Sequence, residues 1–134
     1  MDVIAVYKCF CDVTRLRILN LLREGPLCVC HLQEILEESQ VKMSKHLGYM
    51  KRNGLLASVR KHNWTIYSIP TNPHHILEDN LKCLQDCQRE IPAFRKDLQR
   101  RRAMMKRLSR GPAECPAAVV DAAAPAACAT PSCC

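Results

Sequence analysis

Cys28 and Cys30, separated by one residue, are the side chains of this sequence whose spacing most directly suggests chemistry. Thiolates bind soft ions in preference to hard ones, so the pair predicts a site for a thiophilic metal or metalloid. The competing interpretation is that both are small buried hydrophobic side chains, as free cysteines usually are. On the first turn of a helix over about 28–38, the two side chains would point about 200° apart, so chelation would require that turn to unwind.

A third ligand for such an ion has several candidates, because the chain has ten cysteines in 134 residues. Cys83 and Cys87 stand four residues apart, which on a helix brings their Cβ atoms to about 5–6 Å and permits chelation without distortion. Packing in a dimer helix explains these two cysteines equally well. The other candidate pairs are Cys9 with Cys11, for which a structural role is favoured, and Cys133 with Cys134.

The charge of the chain favours a polyanionic partner. Its formal net charge is +7, and residues 39–62 contain six Lys or Arg and no acidic residue. A second block, residues 89–110, contains nine Lys or Arg against Glu90 and Asp97. The N-terminus has no signal-peptide pattern and no apolar run spans a membrane, so we expect a cytoplasmic protein with reduced thiols and no membrane partner.

The elements that must position these groups begin with a short helix over 3–10 and a second helix from the cap Asp12 to about Arg23. Gly25-Pro26 ends the second helix. Its apolar positions recur every three residues and predict a buried stripe. That stripe comprises Val13, Leu16, Leu19 and Leu22.

A helix over 40–53, capped by Ser39, is the predicted DNA reader. Met43, Leu47 and Met50 share one face and predict its packing side. The opposite face is small, polar and basic, as a helix entering the major groove of DNA requires. We expect major-groove contacts from Gln40, Lys42, Ser44 and Lys45.

Two strand-like runs, 55–60 and 64–69, flank the basic tip 61–63 and predict a short hairpin. Arg60 and Lys61 would contact the DNA backbone from this hairpin. The predicted fold class is therefore mainly α with a small β-hairpin, a winged helix-turn-helix.

Beyond the hairpin, Asn72-Pro73 predicts the start of a long C-terminal helix, which Pro92 interrupts. We expect a winged helix-turn-helix and dimerisation domain over 1–91, a basic helical extension over 92–110 and a disordered Ala/Pro/Cys-rich tail over 111–134. Apolar stripes left exposed on the first and last helices predict a homodimer.

Four segments resemble the ArsR/SmtB metalloregulatory repressors: Asp12–Leu19, Leu27–Leu32, Ser39–Leu47 and Trp64–Tyr67. The resemblance covers about residues 7–85, and the Leu-Cys-Val-Cys segment is similar to that of the arsenic-responsive branch. It implies a dimer that binds palindromic double-stranded operator DNA without metal and is released by As(III) or Sb(III). Cd(II), Pb(II) or Zn(II) is the less favoured inducer.

The sequence departs from the arsenic-type pattern Cys-Val-Cys-Asp-Leu-Cys at two positions. His31 replaces the Asp, and Gln33 stands where the third Cys would be. The family's zinc site on the last helix is not reproduced either, although His74 and Glu78 lie in that region.

Three other functions are less favoured. On the same DNA-binding scaffold, the thiols could sense redox state, for example through a disulfide between Cys83 and a partner. A cysteine-rich metal buffer is disfavoured, because a buffer does not need the acid-free basic segment 39–62. Enzymatic activity is not expected, since we find no nucleophile–base pair, phosphate loop or cofactor motif.

Overall fold

The structure is a computed structural model that describes residues 1–109. The tail 111–134, for which we predict disorder, lies outside the described residues. Within residues 1–109, no helix is both long and apolar enough to cross a lipid bilayer. The elements in chain order are α1 (Val3–Phe10), α2 (Val13–Leu22), β1 (Leu27–Cys28), α3 (Val29–Leu36), α4 (Gln40–Arg52), β2 (Ala57–Lys61), β3 (Trp64–Ser68), α5 (His75–Asp86), a 3₁₀ turn (Cys87–Arg89) and α6 (Pro92–Leu108).

The helix-turn-helix consists of α3 and α4, and its caps follow the sequence signals. The Lys42 backbone N–H donates to the Ser39 hydroxyl at 3.3 Å, which begins α4 where predicted. Met43, Leu47 and Met50 are fully buried. One face of α4 is therefore fixed in the core, and the opposite face remains open to solvent.

The stripe predicted for α2 is partly wrong. Asp12 caps the helix by accepting the Arg15 backbone N–H at 3.1 Å, as predicted. However, Val13 is 59% exposed, whereas Ile18 and Leu21, which lie off the predicted stripe, are fully buried. Helices α1, α3, α4, α5 and α6 all contact α2, so more than one side of it is covered.

Three strands form the sheet, one more than predicted. β2 and β3 make the expected hairpin, with Lys61 opposite Trp64 and only His62-Asn63 between them. The additional strand β1 pairs antiparallel with β3, placing Cys28 opposite Ile66. The prediction that Cys28 lies on a helix is therefore wrong, because this residue is the N-cap of α3 and has extended backbone (φ −70°, ψ 156°).

The C-terminal helix begins later than predicted. His74, not Asn72, is the N-cap of α5, and its Nδ1 accepts the Ile76 backbone N–H at 3.3 Å. Residue 74 has extended backbone (ψ 143°), so the chain after Pro73 is not yet helical. Pro92 interrupts the helical region as predicted and begins α6.

Helices α5 and α6 bury their apolar sides in the same core as the helix-turn-helix. Leu77 and Phe94 are fully buried, and Leu98 is 7% exposed. The expected domain boundary at residue 92 thus falls between two helices that share one core. The stripe expected to remain exposed on the last helix is covered within the protomer. On α1, in contrast, Ile4 is 62% and Tyr7 52% exposed.

Candidate nucleic-acid interface and metal site

The open face of α4 presents the side chains predicted to read DNA. Because its opposite face is held by three buried apolar side chains, the polar side points away from the core. Val41, which lies among the polar residues, is 65% exposed. The residues predicted to contact DNA are all exposed on this helix: Gln40, Lys42, Ser44 and Lys45.

The hairpin carries the other two residues predicted to contact DNA. Arg60 is exposed and Lys61 is half-buried, near the end of β2. The two-residue turn requires a left-handed conformation at His62, whose φ is 54°. The turn is therefore short, and the two basic residues are the last two of β2.

A cleft of about 430 Å³ separates α3, α4 and the hairpin. Its walls combine polar residues of α4 with cysteines of the β1–α3 junction and the tip of the hairpin. They include Cys28, Cys30, Gln33, Gln40, Ser44, Arg52, Asn63 and Trp64. Arg52, an exposed cation of α4, was absent from the predicted DNA contacts, although the helical spacing 40, 44, 48 and 52 places it on the same side.

Arg15 fixes α4 against α2. Its Nε donates to Nδ1 of His46 at 3.3 Å, and its guanidinium lies 4.0 Å from the ring centroid of Tyr49. These contacts explain why His46 is only half-exposed. They set the orientation of α4 without using its solvent face.

The two predicted metal ligands lie together, and His31 lies beside them. One ligand atom each from Cys28, Cys30 and His31 all lie within 4.8 Å of one another. The extended backbone of Cys28 allows this proximity, because its side chain does not follow the helical rotation assumed from the sequence. The prediction that chelation requires a helical turn to unwind is therefore wrong.

His31 is the site residue that sequence reasoning left out. It is 4% exposed, and neither ring nitrogen has a hydrogen-bond partner among the described residues. Burial lowers the pKa of His31; Glu34 opposes this effect, whereas Arg101 and Arg107 add to it. The ring is consequently neutral at neutral pH. The sequence did contain one signal for His31, because this residue replaces the Asp of the arsenic-type pattern next to Cys30.

Cys28 and Cys30 differ in their surroundings. Cys28 is 1% exposed and packs with Ile66, Val59 and Trp64 of the hairpin, whereas Cys30 is exposed. Cys28 is disulfide-bonded in this structure, so ion binding here concerns its reduced form. The buried sulfur thus contacts the sheet, and the exposed one faces the cleft.

The remaining described cysteines lie outside this cluster. Burial raises the pKa of Cys9 to about 11, which makes it a poor source of thiolate at neutral pH. Cys11, Cys83 and Cys87 are exposed. The Cys133/Cys134 pair lies beyond the described residues.

Comparisons with known proteins match this chain to bacterial regulators. The sequence profile described as "Bacterial regulatory protein, arsR family" matches residues 12–58. The chain is 40% identical over 86 residues to the arsenic resistance transcriptional regulator ArsR1 of Pseudomonas putida, covering 63% of this chain and 67% of that protein. It is 38% identical over 88 residues to the arsenical resistance operon repressor of Escherichia coli, covering 62% and 75%.

Solved structures show the same fold. The AntR antimony-specific transcriptional repressor superposes with a TM-score of 0.54 at 26% identity, covering 66% of this chain and 81% of that one. These similar proteins are transcriptional regulators and not enzymes, in agreement with the expectation from the sequence.

Proposed function

Because the chain belongs to the arsR family of bacterial regulatory proteins, we propose that it is a repressor released from its operator by trivalent arsenic or antimony. The names of two relatives support an arsenic response, and that of a structural neighbour supports antimony. Cys28 and Cys30 would supply thiolates, which suit these thiophilic ions.

The observation that carries this proposal is the shared cleft. Cys28 and Cys30 line the same cleft as Gln40 and Ser44, two residues predicted to read DNA. A ligand bound by the thiols therefore lies beside the reading helix. No long pathway through the protein is needed to connect the two sites.

The thiols also connect the two DNA-contacting elements mechanically. Cys28 belongs to β1, which is hydrogen-bonded to the hairpin strand β3, and Cys30 belongs to α3, which packs on α4. One ion bound to both sulfurs would fix the position of β1 relative to α3. The hairpin and α4 would then be held in a relative arrangement that does not fit one operator half-site.

For DNA recognition, we propose that four residues of α4 contact the major groove and two residues of the hairpin contact phosphates. Polar and basic side chains at a helix surface can bind base edges, while Arg and Lys neutralise phosphate charge. The respective residues are Gln40, Lys42, Ser44 and Lys45, and Arg60 and Lys61.

We further propose a homodimer on a palindromic operator, with its two α4 helices about 34 Å apart, one turn of DNA. The exposed apolar side chains of α1 support this assembly. Val3 is 39%, Ile4 62% and Tyr7 52% exposed, which is costly unless a partner covers them.

Substitutions in α1 provide the sharper test of the dimer. A chain ending after Pro70 would lose Leu77 and Phe94, which are fully buried, and would test folding instead. We expect Ile4→Asp to give a folded monomer in sedimentation and at least a tenfold loss of operator affinity. An unchanged dimer would contradict the use of α1, and Lys8→Ala on the same helix is the control.

The switch is tested with reduced protein on fluorescent operator DNA. We expect As(III) or Sb(III) to release the wild type, and Cys28→Ser and Cys30→Ser to bind DNA normally but resist release. Cys11→Ser is the matched control, because Cys11 is an exposed thiol outside the cluster. Release of Cys30→Ser at the wild-type As(III) concentration would place the sensor elsewhere.

Double substitutions address the third ligand of the metalloid. Cys83/Cys87, Cys9/Cys11 and Cys133/Cys134 are each changed to Ser, and Cys83/Cys87 is the favoured donor pair among the thiols. If all three double variants respond normally to As(III), the third ligand is not one of these thiols.

The disulfide at Cys28 supports a second candidate function, release by oxidation. Adding an oxidant without any metal or metalloid, followed by a reductant, separates the two. Reversible release under these conditions, together with no response to As(III), would favour the redox function.

A further inference from the structure

His31 has two polar atoms that the fold buries without using. Both ring nitrogens lack a hydrogen-bond partner among residues 1–109, and the side chain is 4% exposed. Buried polar groups in native proteins are almost always paired, so an exception requires an explanation. An ion bound to one nitrogen would provide it.

The surroundings of His31 supply the other ligands of such an ion. A ligand atom of Cys28, one of Cys30 and a ring nitrogen of His31 lie mutually within 4.8 Å. Sulfur ligands at about 2.3 Å and a nitrogen ligand at about 2.0 Å from one ion require separations somewhat shorter than this limit. Small side-chain rotations therefore suffice to bring all three onto one ion.

We infer that His31 completes a Cys₂His site for a divalent thiophilic cation such as Zn²⁺, formed with the reduced thiols of Cys28 and Cys30. Imidazole nitrogen suits zinc and other borderline ions, and thiolates suit zinc as well as softer ions. Two sulfurs and one imidazole are a donor set found in zinc proteins that keep a fourth position open.

The open position would face the cleft, because Cys30 is exposed and lines it. A water molecule or another small ligand could then complete tetrahedral coordination. The divalent ion and the trivalent metalloid would compete for the same two thiols. The inference rests on the proposed function in using these thiols as ligands, but it adds a ligand and an ion class.

Zinc binding is measured on the reduced full-length chain by competition with a chromogenic chelator. Co²⁺ is used as a spectroscopic probe of tetrahedral coordination and thiolate ligands. We expect His31→Leu to weaken Zn²⁺ binding at least about tenfold, since even changes to residues behind a ligand cost about 10–100-fold. The control His75→Gln, which changes an exposed histidine of α5, should bind Zn²⁺ like the wild type.

A structural role for His31 predicts a different result. Without metal, His31→Leu should be at least as stable as the wild type, because it removes two unpaired buried nitrogens. With Zn²⁺, the melting temperature should rise in the wild type and much less in the variant. Should His31→Leu not fold, His31→Gln and the ring ¹⁵N resonances of the wild-type histidines provide the same information.

Two results would overturn the inference: wild-type Zn²⁺ affinity in folded His31→Leu, or ring resonances of His31 that do not shift when Zn²⁺ binds. Failure of As(III) to release DNA would instead overturn the proposed function, and the Zn²⁺ measurements are independent of it. Loss of both Zn²⁺ binding and As(III) release in Cys30→Ser supports a shared site.

Discussion

The two basic segments of this chain have similar compositions but use their charges differently. In α6, Arg101 donates to the carbonyl oxygens of Leu21 and Gly25 at 3.2 Å, and Arg107 binds Glu34 at 2.8 Å. In α4 and the hairpin, Lys45 and Arg60 have no side-chain partner within residues 1–109. A guanidinium already bound inside the fold is poorly placed to neutralise a phosphate.

This contrast shows that a high density of basic residues does not by itself identify a DNA-binding surface. In α6, Arg100 also donates to the Ile35 carbonyl oxygen at 2.9 Å, so arginines of this helix fasten it to the helix-turn-helix. In residues 39–62 the absence of acidic residues leaves cations such as Lys45 and Arg60 available. The arginines of α6 thus stabilise the fold that carries the cations of residues 39–62.

The largest effect is expected at Lys45. Lys45→Ala should lower operator affinity by at least about 30-fold, because a dimer loses two contacts and each good base contact contributes about 1–3 kcal/mol. Fluorescence anisotropy measures the affinity, and circular dichroism should show an unchanged fold, since Lys45 is exposed. Wild-type affinity in this variant would contradict the proposal that residues 39–62, and not α6, supply the cations that contact DNA. Ser44→Ala tests the same face.

An intermediate effect, on stability and not on recognition, is expected at Asp97. This buried carboxylate accepts from Arg17 at 2.7 and 2.8 Å and joins α6 to α2. Because Arg17 is partly solvated, Asp97→Ala should reduce the free energy of unfolding by about 2–3 kcal/mol, less than for a fully buried pair. Urea denaturation measures it. Surface substitutions usually change stability by less than about 0.5 kcal/mol. A change no larger than this would contradict the role of Asp97 in joining α6 to α2.

The smallest effects distinguish exposed cations of the two segments. Arg60→Ala should weaken binding to all DNA sequences by about fivefold. Because a dimer loses two phosphate contacts, the slope of log affinity against log salt concentration should become less negative by about 1.8. Lys96→Ala, at an exposed position of α6, should change neither quantity. If Lys96→Ala reduces the slope as much as Arg60→Ala does, then α6 also contacts DNA.

Sequence patterns predicted the parts of the fold that local rules determine. The caps Asp12 and Ser39, the buried face of α4 and the break at Pro92 depend on residues close together in the chain. The predicted start of α5 was wrong because the Pro73 signal is local, whereas the chain leaving β3 bends at residues 71 and 72 and is not yet helical at His74.

The candidate site was predicted only in part for a similar reason. The thiols were found from their spacing, but the conformation of Cys28 depends on pairing with Ile66, 38 residues away in sequence. A two-residue strand has no periodicity to detect. The burial of His31 likewise results from packing by distant segments, so its side chain could not be assigned to the site from the sequence alone.

The pairing of β1 with β3 also determines when this site can form during synthesis. Contacts between distant segments require a loop to close and generally form late in folding. Until the residues around Ile66 have been synthesised, Cys28 has no strand to pair with. A nascent chain that has completed only α3 therefore contains both thiols but not their arrangement. Under the proposed function, sensing would begin only after the hairpin exists, so the chain would acquire its switch together with the element that the switch is proposed to control.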